Sequence, residues 1–81
     1  MKSAVFSVKA EWDDESAVWV VTDSEVPGLA TEAGTFDGLV AKLRVMIPEL
    51  LEANGVLPAD EARAVSFRVS AERIENPRAV A

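Results

Sequence analysis

Val8-Lys9-Ala10-Glu11-Trp12-Asp13-Asp14-Glu15-Ser16-Ala17-Val18-Trp19-Val20 is the stretch whose reading decides the fold. From Ala4 to Glu11, Ala4, Phe6, Val8 and Ala10 fall on one face and Ser7, Lys9 and Glu11 on the other, the period of a strand with one buried face. Asp13-Asp14-Glu15-Ser16 carries side chains that bond their own backbone and favour a reversal, so Ala17 to Thr22 is expected to return as an antiparallel neighbour. That second strand is apolar on both faces, as a central strand covered twice would be.

Working outward, Val26-Pro27-Gly28-Leu29 predicts a type II turn, because proline presets the first central dihedral and glycine accepts the positive one. Leu29 to Ala33 reads as a short third strand at an edge. Thr35 is placed to cap a helix, with Asp37 near the positive end of the helix dipole. Phe36, Leu39, Val40, Leu43, Ile47, Leu50 and Leu51 then recur at spacings of three and four, and Gly55 supplies the stop. Pro48 lacks the donor for the carbonyl of Arg44; one continuous helix with water on that carbonyl is preferred, and a break with Pro48 opening a second helix is the alternative. Gly38 stands where an acid would complete a capping box with Thr35. Val56 to Asp60 reads as a connector. Beyond it Val65, Phe67, Val69 and Ala71 alternate with Ser66, Arg68, Ser70 and Glu72, a strand with one wet face expected to run parallel to the first. The fold class is therefore α+β: β-β-β-α-β, a four-stranded, mostly antiparallel sheet with one helix on one face. A single domain is expected over residues 1–75, followed by a short tail over residues 76–81.

Composition narrows the chemistry. The chain has 81 residues, no cysteine and no histidine. Disulfides and cysteine nucleophiles are excluded, and so are the commonest zinc ligands and the commonest general base. No apolar run approaches the ~20 residues a spanning helix needs, and the first residues lack the apolar core of a signal peptide, so the expected location is cytoplasmic. A chain this short buries only ~60% of its unfolded surface, which favours self-association, with a homodimer or higher homo-oligomer as the expected state. Two surfaces suggest themselves, the edge of the fourth strand and the second sheet face through Val18 and Val20.

The formal charge of −6 is unevenly spread: Glu11 through Asp37 holds eight acids and no base. Such a segment repels phosphate backbones and attracts basic proteins, so direct nucleic-acid binding is not expected. The plainer account of the same acids is solvation of a small surface.

The hairpin from Val8 to Val20, the Val26-Pro27-Gly28-Leu29 turn, the helix begun at Thr35 and the segment Ile47-Pro48-Glu49-Leu50-Leu51 together resemble the HicB-like antitoxins, and within them a small stand-alone domain of unknown function. The resemblance spans roughly residues 4–73 and rests on the order and spacing of its pieces. It implies a cut-down ribonuclease H-like sheet. It also implies protein binding, since HicB antitoxins hold small basic RNA-cleaving HicA toxins inactive. Full HicB proteins add a C-terminal DNA-binding part; almost nothing follows Glu75 here, so repression through DNA is not expected of this chain alone.

Trp12, Asp13, Asp14, Glu15, Asp23 and Glu25 are the candidate partner-binding residues, with Trp12 at a strand end as the anchor. Trp19 is expected beneath the helix. A ribonuclease H-like fold also invites a metal-dependent nuclease built on Glu11, Asp13, Asp14 and Asp23, but two of these fall in a turn and one at the far end of the next strand. No enzyme activity, catalytic residue, metal or cofactor is expected. The rival to a toxin-binding role is a stand-alone oligomeric scaffold or regulatory module.

Overall fold

A computed structural model describes residues 5–77 of the chain. Ala4, with which the sequence reading begins the first strand, and the last four residues of the C-terminal segment lie outside the described residues. The elements run β1 (Val5–Asp13), β2 (Val18–Ser24), β3 (Glu32–Ala33), α1 (Phe36–Ala53), α2 (Ala59–Ala62) and β4 (Ser66–Glu72). They form one mixed sheet in the order β3-β2-β1-β4. β1 pairs antiparallel with β2 and parallel with β4, while β2 pairs antiparallel with β3. The α+β arrangement with a parallel fourth strand is as the periodicities predict.

Register assigns the two faces. Trp12 lies opposite Trp19 and Ala10 opposite Val21, while Phe6 and Val8 lie beside Phe67 and Val69. These side chains share one face, and α1 covers it with Leu39, Leu43, Ile47 and Leu51, all fully buried. Four-residue spacing keeps those leucines and the isoleucine in one line along the helix. Each such burial contributes roughly 1.5–3 kcal/mol, so this stripe is the main source of stability. The opposite face carries Ser7, Lys9, Glu11 and Asp13 of β1, flanked by Val18 and Val20 of β2 and by Arg68, Ser70 and Glu72 of β4. Among the described elements none covers it.

The ends of α1 follow from local chemistry. Thr35 Oγ1 accepts from the Gly38 N–H at 2.9 Å, capping the first turn. A Cβ at position 38 would stand 2.9 Å from that same Oγ1, so glycine there leaves room for the cap rather than merely weakening the helix start. At the other end Gly55, with φ of 70°, lets the Val56 N–H reach the Leu51 carbonyl and its own N–H reach Glu52, a Schellman stop. Pro48 lies inside a continuous α1, which resolves the alternative of a break.

Several boundaries differ from the sequence reading: β1 runs on to Asp13, which pairs with Val18 and is not a turn residue, and β2 runs on to Ser24. Ala17 is not the first residue of β2 but the last of the reversal, held at φ of 57° with its N–H bonded to the Asp13 carbonyl. Residues 29–31 are not strand: Val26 and Leu29 close the expected turn, Gly28 takes φ of 76°, and only Glu32 and Ala33 pair with β2. The connector ends earlier than expected, because Ala59–Ala62 forms a short helix whose Ala62 is buried in the core. A single apolar anchor in four residues carries too little periodicity to be seen in sequence. Finally, the register slips between Lys9 and Ala10, so that Thr22 is an extra residue in β2.

Candidate functional site

The tip of the β1–β2 hairpin is built from the carboxylates that the sequence singles out, and two of them hold the tip together. Asp13 Oδ1 accepts the N–H groups of Glu15 and Ser16 at 3.0 and 3.3 Å, which fixes the reversal. Asp14 Oδ1 accepts the indole N–H of Trp12 at 2.7 Å. Glu15 is exposed and contributes charge without a structural task of this kind.

Trp12 is half-buried rather than free. Its ring meets Trp19 edge-on with centroids 5.4 Å apart, and Trp19 in turn meets Phe36 at 6.0 Å. The Arg73 guanidinium lies 4.4 Å from the Trp12 centroid, a cation over a π face, and is ion-paired with Glu75. Trp19 sits under the start of α1, as its apolar surroundings suggest. The arginine cover has no local signal in the sequence, since Arg73 reaches Trp12 only after the whole chain has folded.

Beside the hairpin a shallow concavity of about 400 Å³ is lined by Glu11, Trp12, Asp13, Asp14, Glu15, Val20 and Thr22. The fold therefore brings Trp12, Asp13, Asp14 and Glu15 together with Val20. It separates Asp23 and Glu25 from them: Asp23 pairs with Lys9 while Asp13 pairs with Val18, and four residues of strand put about 13 Å between these positions. Glu25 is engaged in the sheet, accepting the Ser7 N–H at 2.8 Å while its own N–H bonds the Ser7 carbonyl. Asp23 accepts the Ser24 N–H at 2.9 Å. With Ser7, Lys9 and Ser70 these two acids line a second hollow of about 260 Å³ at the other end of β2.

Two acids outside the candidate set belong to the exposed acidic surface. Glu11 lies on the open face, and Glu32 of β3 pairs with Val20 there, both exposed. Alternation within β1 would have shown Glu11 in the sequence; Glu32 required knowing which residues of the third segment pair. Lys42 of α1 donates to the Glu32 carbonyl at 2.6 Å, tying the short edge strand to the helix. Among the described residues no three His, Cys, Asp or Glu side chains converge in a way that could hold a metal ion. Glu11, Asp13, Asp14 and Asp23 do not form a shared centre. Among the described residues no helix is long and apolar enough to cross a membrane.

Comparison with known proteins places this geometry in context. The family described as a domain of unknown function, DUF1902, matches residues 5–81. Among solved structures the chain is similar to the hypothetical protein TTHA1013 from the extremely thermophilic bacterium Thermus thermophilus, with 49% identity and a TM-score of 0.72. That likeness covers 90% of this chain and 99% of the other. No curated protein matches.

Proposed function

The chain belongs to the DUF1902 family, and from that premise we propose that it is a non-catalytic protein-binding module, antitoxin-like, that neutralises a small basic RNA-cleaving protein of the HicA type. The carrying observation is the run of eight acids without a base from Glu11 to Asp37, of which Glu11, Asp13, Asp14 and Glu15 line one concavity together with Trp12, Val20 and Thr22. The likeness of the hairpin, turn and helix to HicB-like antitoxins supports the same reading. Complementary charge chiefly accelerates encounter and selects partners, while lasting affinity rests on desolvated apolar anchors. The scattered placement of the remaining carboxylates favours binding over two-metal hydrolysis.

The test is co-purification with the product of an adjacent reading frame encoding a small basic protein, followed by rescue of growth on co-expression. Glu11→Lys, Glu15→Lys and Glu32→Lys together should slow association and flatten its salt dependence, since long-range attraction is what salt screens. These three leave Asp13 and Asp14 to their structural bonds. Trp12→Ala should instead accelerate dissociation by about tenfold or more, the mark of a hot spot. If neighbouring frames encode no such protein and the purified pair does not form, the module functions without a toxin, as an oligomeric scaffold. The edge of β4, with which no other described strand pairs, is the observation that favours this second reading.

A further inference from the structure

We propose that β4 is a self-pairing edge: two copies of this chain join antiparallel through β4 about a twofold axis at Ser70, making one eight-stranded sheet from two of four. The inference is independent of the toxin-binding reading. β4 is the outermost strand, hydrogen-bonded among the described strands to β1 alone. Its ladder with β1 runs without irregularity from Val5 opposite Ser66 to Glu11 opposite Glu72. Edge strands are ordinarily kept from pairing by shortness, proline, a bulge or charges that repel a second copy. The other edge, β3, has such protection, being two residues long and tied to Lys42. β4 has seven residues, no proline and no bulge.

The sequence of β4 is self-complementary about its centre. Arg68-Val69-Ser70-Ala71-Glu72 has opposite charges two residues either side of Ser70 and apolar residues one either side. With Ser70 on the axis, Arg68 of each copy faces Glu72 of the other on the open face, and Val69 faces Ala71 on the helix side. Centring on Arg68 or on Glu72 would oppose like charges, which destabilises a strand pair. Centring on Val69 or Ala71 leaves both charges opposite other residue types. Within one copy Glu72 lies across from Glu11, another acid, and makes no ion pair among the described residues. Among the described residues the Arg68 side chain donates only to Ser7 Oγ, at 3.3 Å, and is exposed. A second copy supplies the cation that Glu72 lacks. The alternative, stacking two open faces through Val18 and Val20, would press Glu11, Asp13 and Glu32 of each copy against an equally acidic face.

Because the chain has no cysteine, a single introduced thiol reports the axis unambiguously. Directly opposed residues in antiparallel strands have Cα atoms ~4.5–5.5 Å apart, within disulfide range. Ser70→Cys should cross-link nearly completely on mild oxidation of the full chain, and Val20→Cys should not. Sedimentation should show a dimer whose dissociation constant rises about tenfold in Arg68→Glu and in Glu72→Arg, and returns to within about threefold of wild type when both are combined. The combined variant separates charge pairing from damage to the fold, and circular dichroism of each variant checks that the sheet is intact. A monomer at up to about 100 µM would overturn the proposal, because a functional interface must form well below that concentration. So would a dimer cross-linked by Val20→Cys but not Ser70→Cys, or single charge variants with unchanged dissociation.

Discussion

Ala17 and Gly28 show what a single dihedral is worth in this chain. Ala17 holds φ at 57° so that its N–H can close the hairpin on the Asp13 carbonyl. A non-glycine residue in that region costs roughly 1–2 kcal/mol, and glycine would relieve that cost while giving part of it back through its larger unfolded-state entropy. Ala17→Gly should therefore raise stability by about 0.5–1 kcal/mol in urea denaturation, with the hairpin unchanged. Gly28 presents the reverse case at φ of 76°. A Cβ there would meet nothing nearer than Leu50 Cδ2 at 3.8 Å, so the penalty for Gly28→Ala is backbone strain alone, about 1 kcal/mol. The glycine was legible in sequence because Pro-Gly is a turn signature; the positive φ of Ala17 was not, since alanine carries no preference for it.

The start of α1 balances two local terms. Removing the Thr35 hydroxyl orphans the Gly38 N–H, and Thr35→Ala should cost about 1 kcal/mol while Thr35→Ser should cost far less. Gly38→Ala should be nearly neutral in the wild-type chain, because the gain in helix propensity of about 1 kcal/mol is offset by a Cβ crowding the capping oxygen. In the Thr35→Ala background the same change should stabilise by about 1 kcal/mol, and a double-mutant cycle on thermal melts measures that difference. The helix, its cap and its stop were readable because capping and 3.6-residue periodicity act within a few residues. The element α2 was missed for the same reason, as Ala62 is its only buried residue and its anchorage lies in contacts with distant parts of the chain.

At the scale of the molecule, one layer of helix on one face of a sheet leaves a thin core, eight buried residues among those described, with Leu39, Leu43, Ile47 and Leu51 at its centre. Leu43→Ala should cost about 2–5 kcal/mol, a large share of what a domain this small possesses, and be seen as a loss of cooperative unfolding near room temperature. If two copies share β4, the melting temperature of the wild-type chain should rise with protein concentration, and in Arg68→Glu the same rise should be displaced to about tenfold higher concentration. By itself the amino-acid sequence determined where the three longer strands and the long helix lie, which side of β1 and β4 faces the core, and that the acids crowd the first half. Those properties follow from alternation, spacing and turn chemistry, all of which are local. Only the tertiary structure decided that Arg73 covers Trp12, that Glu72 lies across from Glu11, and that Asp23 and Glu25 stand apart from the acidic hairpin. Each of these depends on strand register and neighbour order. A period of two is satisfied equally by many pairings, and the choice among them is made by burying the α1 stripe against the one sheet face that can receive it.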